Sequence, residues 1–255
     1  MEKKIGIVLS GGGVRASAHA GALKALEEAE IYAHHISGIS AGAIVGALYC
    51  AGISPDKIRS IIKLKSFFRL FSFRDIWEGF VDTDYLEEMI KKYVPDNSFD
   101  SLKTKLTIGV SNLNEGRFEL IDKGELANVV AASSAIPLLI KPVRIGKSVY
   151  VDGGLMNGFP VEPLIPSCDF IIGINLNPHE KVNHIEGWKD IGGRCFEMVT
   201  WNNTESHLTK CNFLIQMVAT AKYGVLDVKH SEELFEIGYH ETKKMMPRLL
   251  DKLIQ

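Results

Sequence analysis

Cysteine is scarce and scattered in this chain: Cys50, Cys168, Cys195 and Cys211 are the only four in 255 residues, and no two form a C-x-x-C pair. That excludes a disulfide framework or a thiolate zinc cluster as the basis of the fold and predicts reduced, mostly buried thiols. Basic excess is missing too. Lys and Arg number 29 against 31 Asp and Glu, a net charge of −2, so the electrostatic footprint of a nucleic-acid partner is absent. There is no G-x-x-x-x-G-K-[ST] loop, no internal repeat, no low-complexity tract and no linker. A long hydrophobic run is nearly missing: Ile36 to Ile53 gives eighteen residues without a charge, close to the lower limit for a membrane span. Gly38, Gly42, Gly46, Gly52, Ser37 and Ser40 dilute that run, which reads instead as a buried strand, turn and helix. The start, with Glu2, Lys3 and Lys4 ahead of a short strand-like run, does not read as a leader, and a cytoplasmic protein is expected.

What is present alternates between two periodicities. Lys4 to Ser10 is β-branched and apolar, and Val14 to Ala29 places Ala18, Ala22, Leu23 and Leu26 on one helical face. A short strand around Ile36 and a small-residue helix from Ala41 to Ala51 follow. Further strands are predicted at Leu106–Ser111, Phe118–Ile121, Val149–Val151 and Phe170–Leu176, and helices at Pro55–Leu64, Thr83–Tyr93 and Glu125–Ala132. Near-continuous apolar strands such as Phe170–Leu176 imply a mostly parallel sheet covered on both faces. The expectation is one α/β domain spanning residues 1–255, a length that such folds reach as a single unit.

Two glycine-rich elements fall at the ends of the first two strands. Gly11, Gly12 and Gly13 follow the first strand and offer bare backbone N–H groups to a developing negative charge. About twenty-five residues later, Gly38-Ile39-Ser40-Ala41-Gly42 is a G-x-S-x-G elbow. Glycines two residues to either side of Ser40 allow a sharp strand-to-helix turn that exposes the hydroxyl. The competing dinucleotide reading of the first cluster is weakened by Ala16 at its sixth position and by the lack of an acidic residue ending a second strand about twenty residues on, and it is the elbow in that place that displaces it. A serine nucleophile needs a base. His207, His230 and His240 each lie among charged neighbours and read as solvated, while Asp152 ends the apolar strand Val149–Val151 and precedes Gly153 and Gly154. Taken alone, that D-G-G reads as a common turn signal rather than as a site.

In combination these pieces resemble the patatin-like phospholipases. That family has a G-G-G-x-R-G loop, here Gly11, Gly12, Gly13 and Arg15; a G-x-S-x-G serine, here Ser40; and a D-G-G or D-G-A aspartate, here Asp152. A further similar block is Ala132-Ser133-Ser134-Ala135-Ile136-Pro137, followed by Lys141-Pro142-Val143, so the resemblance covers roughly residues 5 to 178. Ala16 departs from the usual glycine. The resemblance implies a three-layer α/β/α fold and a lipid acyl hydrolase with a Ser40-Asp152 dyad. It also implies an oxyanion hole of Gly11, Gly12 and Gly13 and no metal or cofactor. Arg15 is expected either to meet a substrate phosphate or to orient the loop; an exposed arginine at a helix start is the bland alternative. A catalytically weak lipid-binding protein on the same fold is the runner-up.

Lys63 to Phe80 holds five of the twelve phenylalanines, Phe67, Phe68, Phe71, Phe73 and Phe80, with Trp77, Lys63, Lys65, Arg69 and Arg74 interleaved. Such a mixture suits contact with a membrane or an acyl-pocket lid, and equally a core-packing helix pair with basic residues reaching outward. Beyond residue 178, Trp188–Trp201 and Glu232–Lys244 read as amphipathic helices and Cys211–Val218 as an edge strand. His179, Glu180, His184 and Glu186 are too loosely spaced to read as a metal site.

Overall fold

The alternating apolar runs become strands and helices in the order the sequence suggests. The computed structural model describes residues 3–63, 83–137, 139–178, 185–223 and 228–255. Strand β1 (Ile5–Leu9) leads to α1 (Ala16–Glu27), then β2 (His35–Gly38), α2 (Ala41–Cys50), α3 (Pro55–Ile62) and α4 (Asp84–Tyr93). Strands β3 (Lys105–Asn112) and β4 (Arg117–Ile121), helix α5 (Leu126–Ser133), and strands β5 (Val143–Ile145), β6 (Ser148–Asp152) and β7 (Phe170–Asn175) follow. The chain continues with α6 (Gly187–Asn202), α7 (Glu205–Leu208), β8 (Phe213–Gln216) and α8 (Ser231–Ile254). The aromatic segment with Phe67, Phe68, Arg69 and Phe71, and also His179, Glu180 and His184, lie outside the described residues.

Among the described residues one sheet runs β5-β6-β3-β2-β1-β7-β8, with β4 added to β3. Its centre is parallel, β3-β2-β1-β7-β8, and β4, β5 and β6 are antiparallel additions on the β3 side. Alternation along β1 sends Ile7 and Leu9 to one face and Val8 to the other. The first face carries the main core with α1, α2, α4, α5 and α8; the second is covered by Phe159, Val161 and Leu164, joined by Ile171 of β7. The strands are therefore apolar on both sides, as the near-continuous hydrophobic runs require.

Helix α1 lies flush on α8 because each presents a glycine to the other. A Cβ at Gly21 would stand 2.0 Å from the Phe235 carbonyl oxygen, and one at Gly238 would stand 2.0 Å from that of Ala18. Two features exceed the sequence expectation. Strand β5 has only three residues, too few for a periodic signal. Helix α8 continues past Lys244 to Ile254 through Pro247; Pro247 removes one intrahelical bond, but Met246 and Leu249 on either side are buried and keep that turn on the core. Among the described residues no helix is long and apolar enough to cross a membrane.

Candidate active site

Strands β1 and β2 are parallel neighbours, so the loops leaving their carboxyl ends emerge side by side. The loop after β1 holds Gly11, Gly12 and Gly13; the turn after β2 holds Ser40. A third strand brings Asp152 to the same level. Gly38 of β2 lies opposite Ile108 of β3, and Val110, two residues further along β3, lies opposite Asp152 at the end of β6. The register therefore places the residue that follows Gly38 by two beside the last residue of an antiparallel strand.

Ser40 has φ 51° and ψ −119° and serves as the N-cap of α2. A non-glycine residue held there costs on the order of 1–3 kcal/mol and persists only when its surroundings over-determine it. The flanking glycines supply that constraint through close approach. A Cβ at Gly42 would lie 2.2 Å from the Leu9 carbonyl oxygen, and one at Gly38 would lie 2.6 Å from that of Gly42, so α2 starts directly against the end of β1. Ser40 is 8% exposed, and its hydroxyl stands near enough to the Asp152 carboxylate to favour the charged form of that group.

Asp152 is 2% exposed. Its Oδ1 accepts from the Gly154 amide at 2.8 Å, its own amide donates to the Ala135 carbonyl at 2.9 Å, and its carbonyl accepts from the Ser111 hydroxyl at 3.0 Å. Burial pushes the carboxyl up to about 7, and the bonds from Ser40 and Gly154 hold it from rising further. A carboxylate so placed is a far stronger base than one in water, where the ordinary value is 3.8. Gly153 lets the turn close: a Cβ there would lie 2.6 Å from the Gly109 carbonyl oxygen and 2.5 Å from Ile39 Cδ1.

The glycine loop faces this pair. A Cβ at Gly11 would lie 3.6 Å from Ser40 Cβ. Gly12 and Gly13 open the short helical turn into α1. Among the described residues none accepts a hydrogen bond from the amides of Gly11, Gly12 or Gly13. Three main-chain donors near a serine are thereby without an acceptor among the described residues. The loop is held from behind. Ser10 Oγ donates to the Gly11 carbonyl at 2.8 Å and accepts from Leu176 N at 2.9 Å. His19, fully buried on α1, donates from Nε2 to the Ser10 carbonyl at 2.8 Å, and burial lowers its pKa to about 4, so it stays neutral. Neither Ser10 nor His19 was picked out by sequence reasoning; a lone polar side chain on the buried face of an alanine-rich helix was the available signal.

Arg15 is buried rather than exposed. Its guanidinium donates to the Tyr223 carbonyl at 2.6 and 2.9 Å and to the Leu176 carbonyl at 3.3 Å. This ties the glycine loop to the segment after β8, the geometry of a residue that orients the loop. The late histidines stand away from the pair: His207 meets Glu162 at 2.5 Å, His230 meets Glu233 at 3.3 Å and His240 meets Glu236 at 3.6 Å. No cluster of three or more His, Cys, Asp or Glu suited to a metal occurs among the described residues.

The chain is 25% identical over 281 residues to an uncharacterised protein of Acanthamoeba polyphaga mimivirus, covering 96% of this chain and 94% of that one. It is 23% identical over 283 residues to the lysophospholipase nte1 of Emericella nidulans, covering 97% of this chain but only 18% of the fungal protein. In three dimensions it matches VipD of Legionella pneumophila with a TM-score of 0.63 at 16% identity, over 97% of this chain and 67% of that one. It matches the human GIVD cytosolic phospholipase A2 with a TM-score of 0.54 at 12% identity, over 98% of this chain and 58% of that one. These likenesses show a shared fold. The family model for patatin-like phospholipases matches residues 7–165, more than half of the sequence, and takes in the glycine loop, Ser40 and Asp152. The chain belongs to the patatin-like phospholipase family, whose members are serine-dependent lipid acyl hydrolases.

Proposed function

We propose that this protein cleaves carboxylic ester bonds of phospholipids or lysophospholipids through a Ser40-Asp152 dyad and an acyl-enzyme. The observation that carries the reading is the placing of Ser40, held on its positive-φ elbow, beside a buried carboxyl group whose pKa is raised to about 7. Asp152 accepts the Ser40 proton as Oγ attacks the ester carbonyl. The amides of Gly11, Gly12 and Gly13 receive the oxyanion, and the loss of one such donor typically costs about 10²–10³ in turnover. The alcohol leaves with the proton from Asp152. Water then attacks the acyl-Ser40 ester, with Asp152 again taking the proton and returning it to Ser40. Arg15 contributes by fixing the loop that carries the three amides. The fungal relatives are named as lysophospholipases, which favours a single-chain lysolipid as substrate. Lys63, Phe67, Phe68, Arg69 and Phe71 are proposed to meet the lipid surface, on the strength of their aromatic and basic composition.

The test is hydrolysis of a lysophospholipid and of a soluble short-chain aryl ester by wild type, Ser40→Ala and Asp152→Asn. Both variants should lose turnover by a factor on the order of 10³ or more while remaining folded. Equal and negligible turnover of every ester by wild type and Ser40→Ala would leave a lipid-binding protein without the reaction.

A further inference from the structure

The block from Ala132 to Pro137 has no role in the chemistry just described, yet it touches both members of the dyad. Ser133 is the last residue of α5 and is completely buried. A serine at the end of a helix commonly turns its hydroxyl back onto the preceding turn; this one points out of the helix. Its Oγ accepts from the Ser40 amide at 2.9 Å and donates to the Gly109 carbonyl at 2.7 Å. Two residues later the Ala135 carbonyl accepts from the Asp152 amide at 2.9 Å. The Gly109 carbonyl is also the atom against which Gly153 is seated. One helix end and the residues just past it therefore grip the nucleophile, the base and the strand between them.

We infer that Ser133 is a positioning residue: its hydroxyl locks the backbone of Ser40 in the positive-φ elbow and, with Ala135, sets the separation between Ser40 Oγ and the Asp152 carboxylate. The inference rests on the dyad assigned above. The Ser40 amide is buried at the N-cap of α2, where no preceding helical turn offers it an acceptor, and the Ser133 oxygen is its partner. Without that oxygen the elbow gains by rotating toward any other acceptor, and Ser40 Oγ moves with it. A displacement of the reacting group by about 1 Å is enough to cost on the order of a hundredfold in rate. The neighbouring Ser134 is the internal control, because its buried hydroxyl has no hydrogen-bond partner among the described residues.

The experiment is the second-order rate of Ser40 labelling by a fluorophosphonate, measured against pH in the full chain for wild type, Ser133→Ala, Ser134→Ala and Ser40→Ala, with a melting curve for each. Ser133→Ala should slow labelling on the order of tenfold to a hundredfold at a temperature well below its melting point. Its acid limb should also move to higher pH, since the Ser40 hydroxyl bond that opposes the burial of Asp152 is loosened. Ser134→Ala should behave as wild type. A residue with a merely structural role would lower the melting temperature and leave the rate and limb of the folded protein unchanged, and that result overturns the inference. If Ser133→Ala does not fold, Ser133→Cys, similar in size and a weaker donor and acceptor, makes the same comparison: slowed labelling supports the inference and an unchanged rate overturns it. Labelling that survives Ser40→Ala overturns the dyad itself, whereas labelling lost in Ser40→Ala and untouched in Ser133→Ala overturns only the role of Ser133.

Discussion

Replacing Asp152 by asparagine should destroy activity and stabilise the protein, and the stabilisation should depend on pH. The carboxyl ionises near 3.8 when the chain is unfolded and near 7 in the folded site, with burial as the main cause. Between those values the folded state holds a proton that the unfolded state has released, so folding stability falls as the pH rises from about 4 to about 7. Above 7 the full penalty of a buried carboxylate is in force. Each tenfold change in proton affinity is about 1.4 kcal/mol, so the penalty approaches roughly 4 kcal/mol as an upper figure. Asparagine keeps the shape, can still accept from Gly154 N through its oxygen, and carries no charge. The asparagine protein should therefore melt above wild type at pH 8, at about 2–4 °C per kcal/mol for a chain of this size. The two should converge near pH 4. Paired melting curves from pH 4 to 8 make the measurement, and wild-type kcat/KM should fall about tenfold per unit below pH 7 as the base is protonated. An asparagine variant less stable than wild type at pH 8, or a difference that does not change with pH, would refute the reasoning.

Gly42→Ala should cost about 3 kcal/mol and most of the activity, because its Cβ would stand 2.2 Å from the Leu9 carbonyl oxygen and force α2 off β1. Gly46→Ala on the same helix, whose Cβ would meet only side-chain atoms, the nearest being the Leu106 Cδ1 tip at 3.1 Å, should be mild by comparison in the same denaturation assay. His207→Gln, His230→Gln and His240→Gln should each keep a large share of the esterase rate, since these rings pair with Glu162, Glu233 and Glu236; loss of activity in a folded variant would restore a histidine triad. Joint replacement of Phe67, Phe68 and Phe71 by serine should depress hydrolysis of aggregated long-chain lipid far more than that of a soluble ester if they meet lipid. Equal loss of both with a large fall in melting temperature would mark them as core.

The residues that come together at the candidate site were legible in the sequence because the demands of an elbow and a turn are local. An elbow must have small residues two positions either side of Ser40, and Gly42 shows why: the helix begins in contact with the Leu9 carbonyl. A strand that ends in an acid followed by two glycines is legible for the same reason. Asp152 reached its buried place beside Ser40, however, only through register, when β6 paired with β3 beside the end of β2, and that burial no single window of sequence reports. The supports were out of reach for the same cause. Ser133 and Ser40 are 93 residues apart, and Arg15 and Tyr223 are 208 apart, so each contact exists only after the sheet is assembled. Arg15 illustrates the limit most clearly. Its place in the glycine loop left a phosphate ligand and a loop-orienting residue both open, whereas its shortest bonds run to the Tyr223 carbonyl, in a C-terminal segment that the family-like blocks do not include.

The measurement that bears most directly on the account is mass spectrometry of the intact protein and its peptides after treatment with a fluorophosphonate. A single adduct per chain is expected, carried by Ser40, formed slowly below pH 7 and absent from Ser40→Ala. An adduct on another serine, or undiminished labelling of Ser40→Ala, would contradict it.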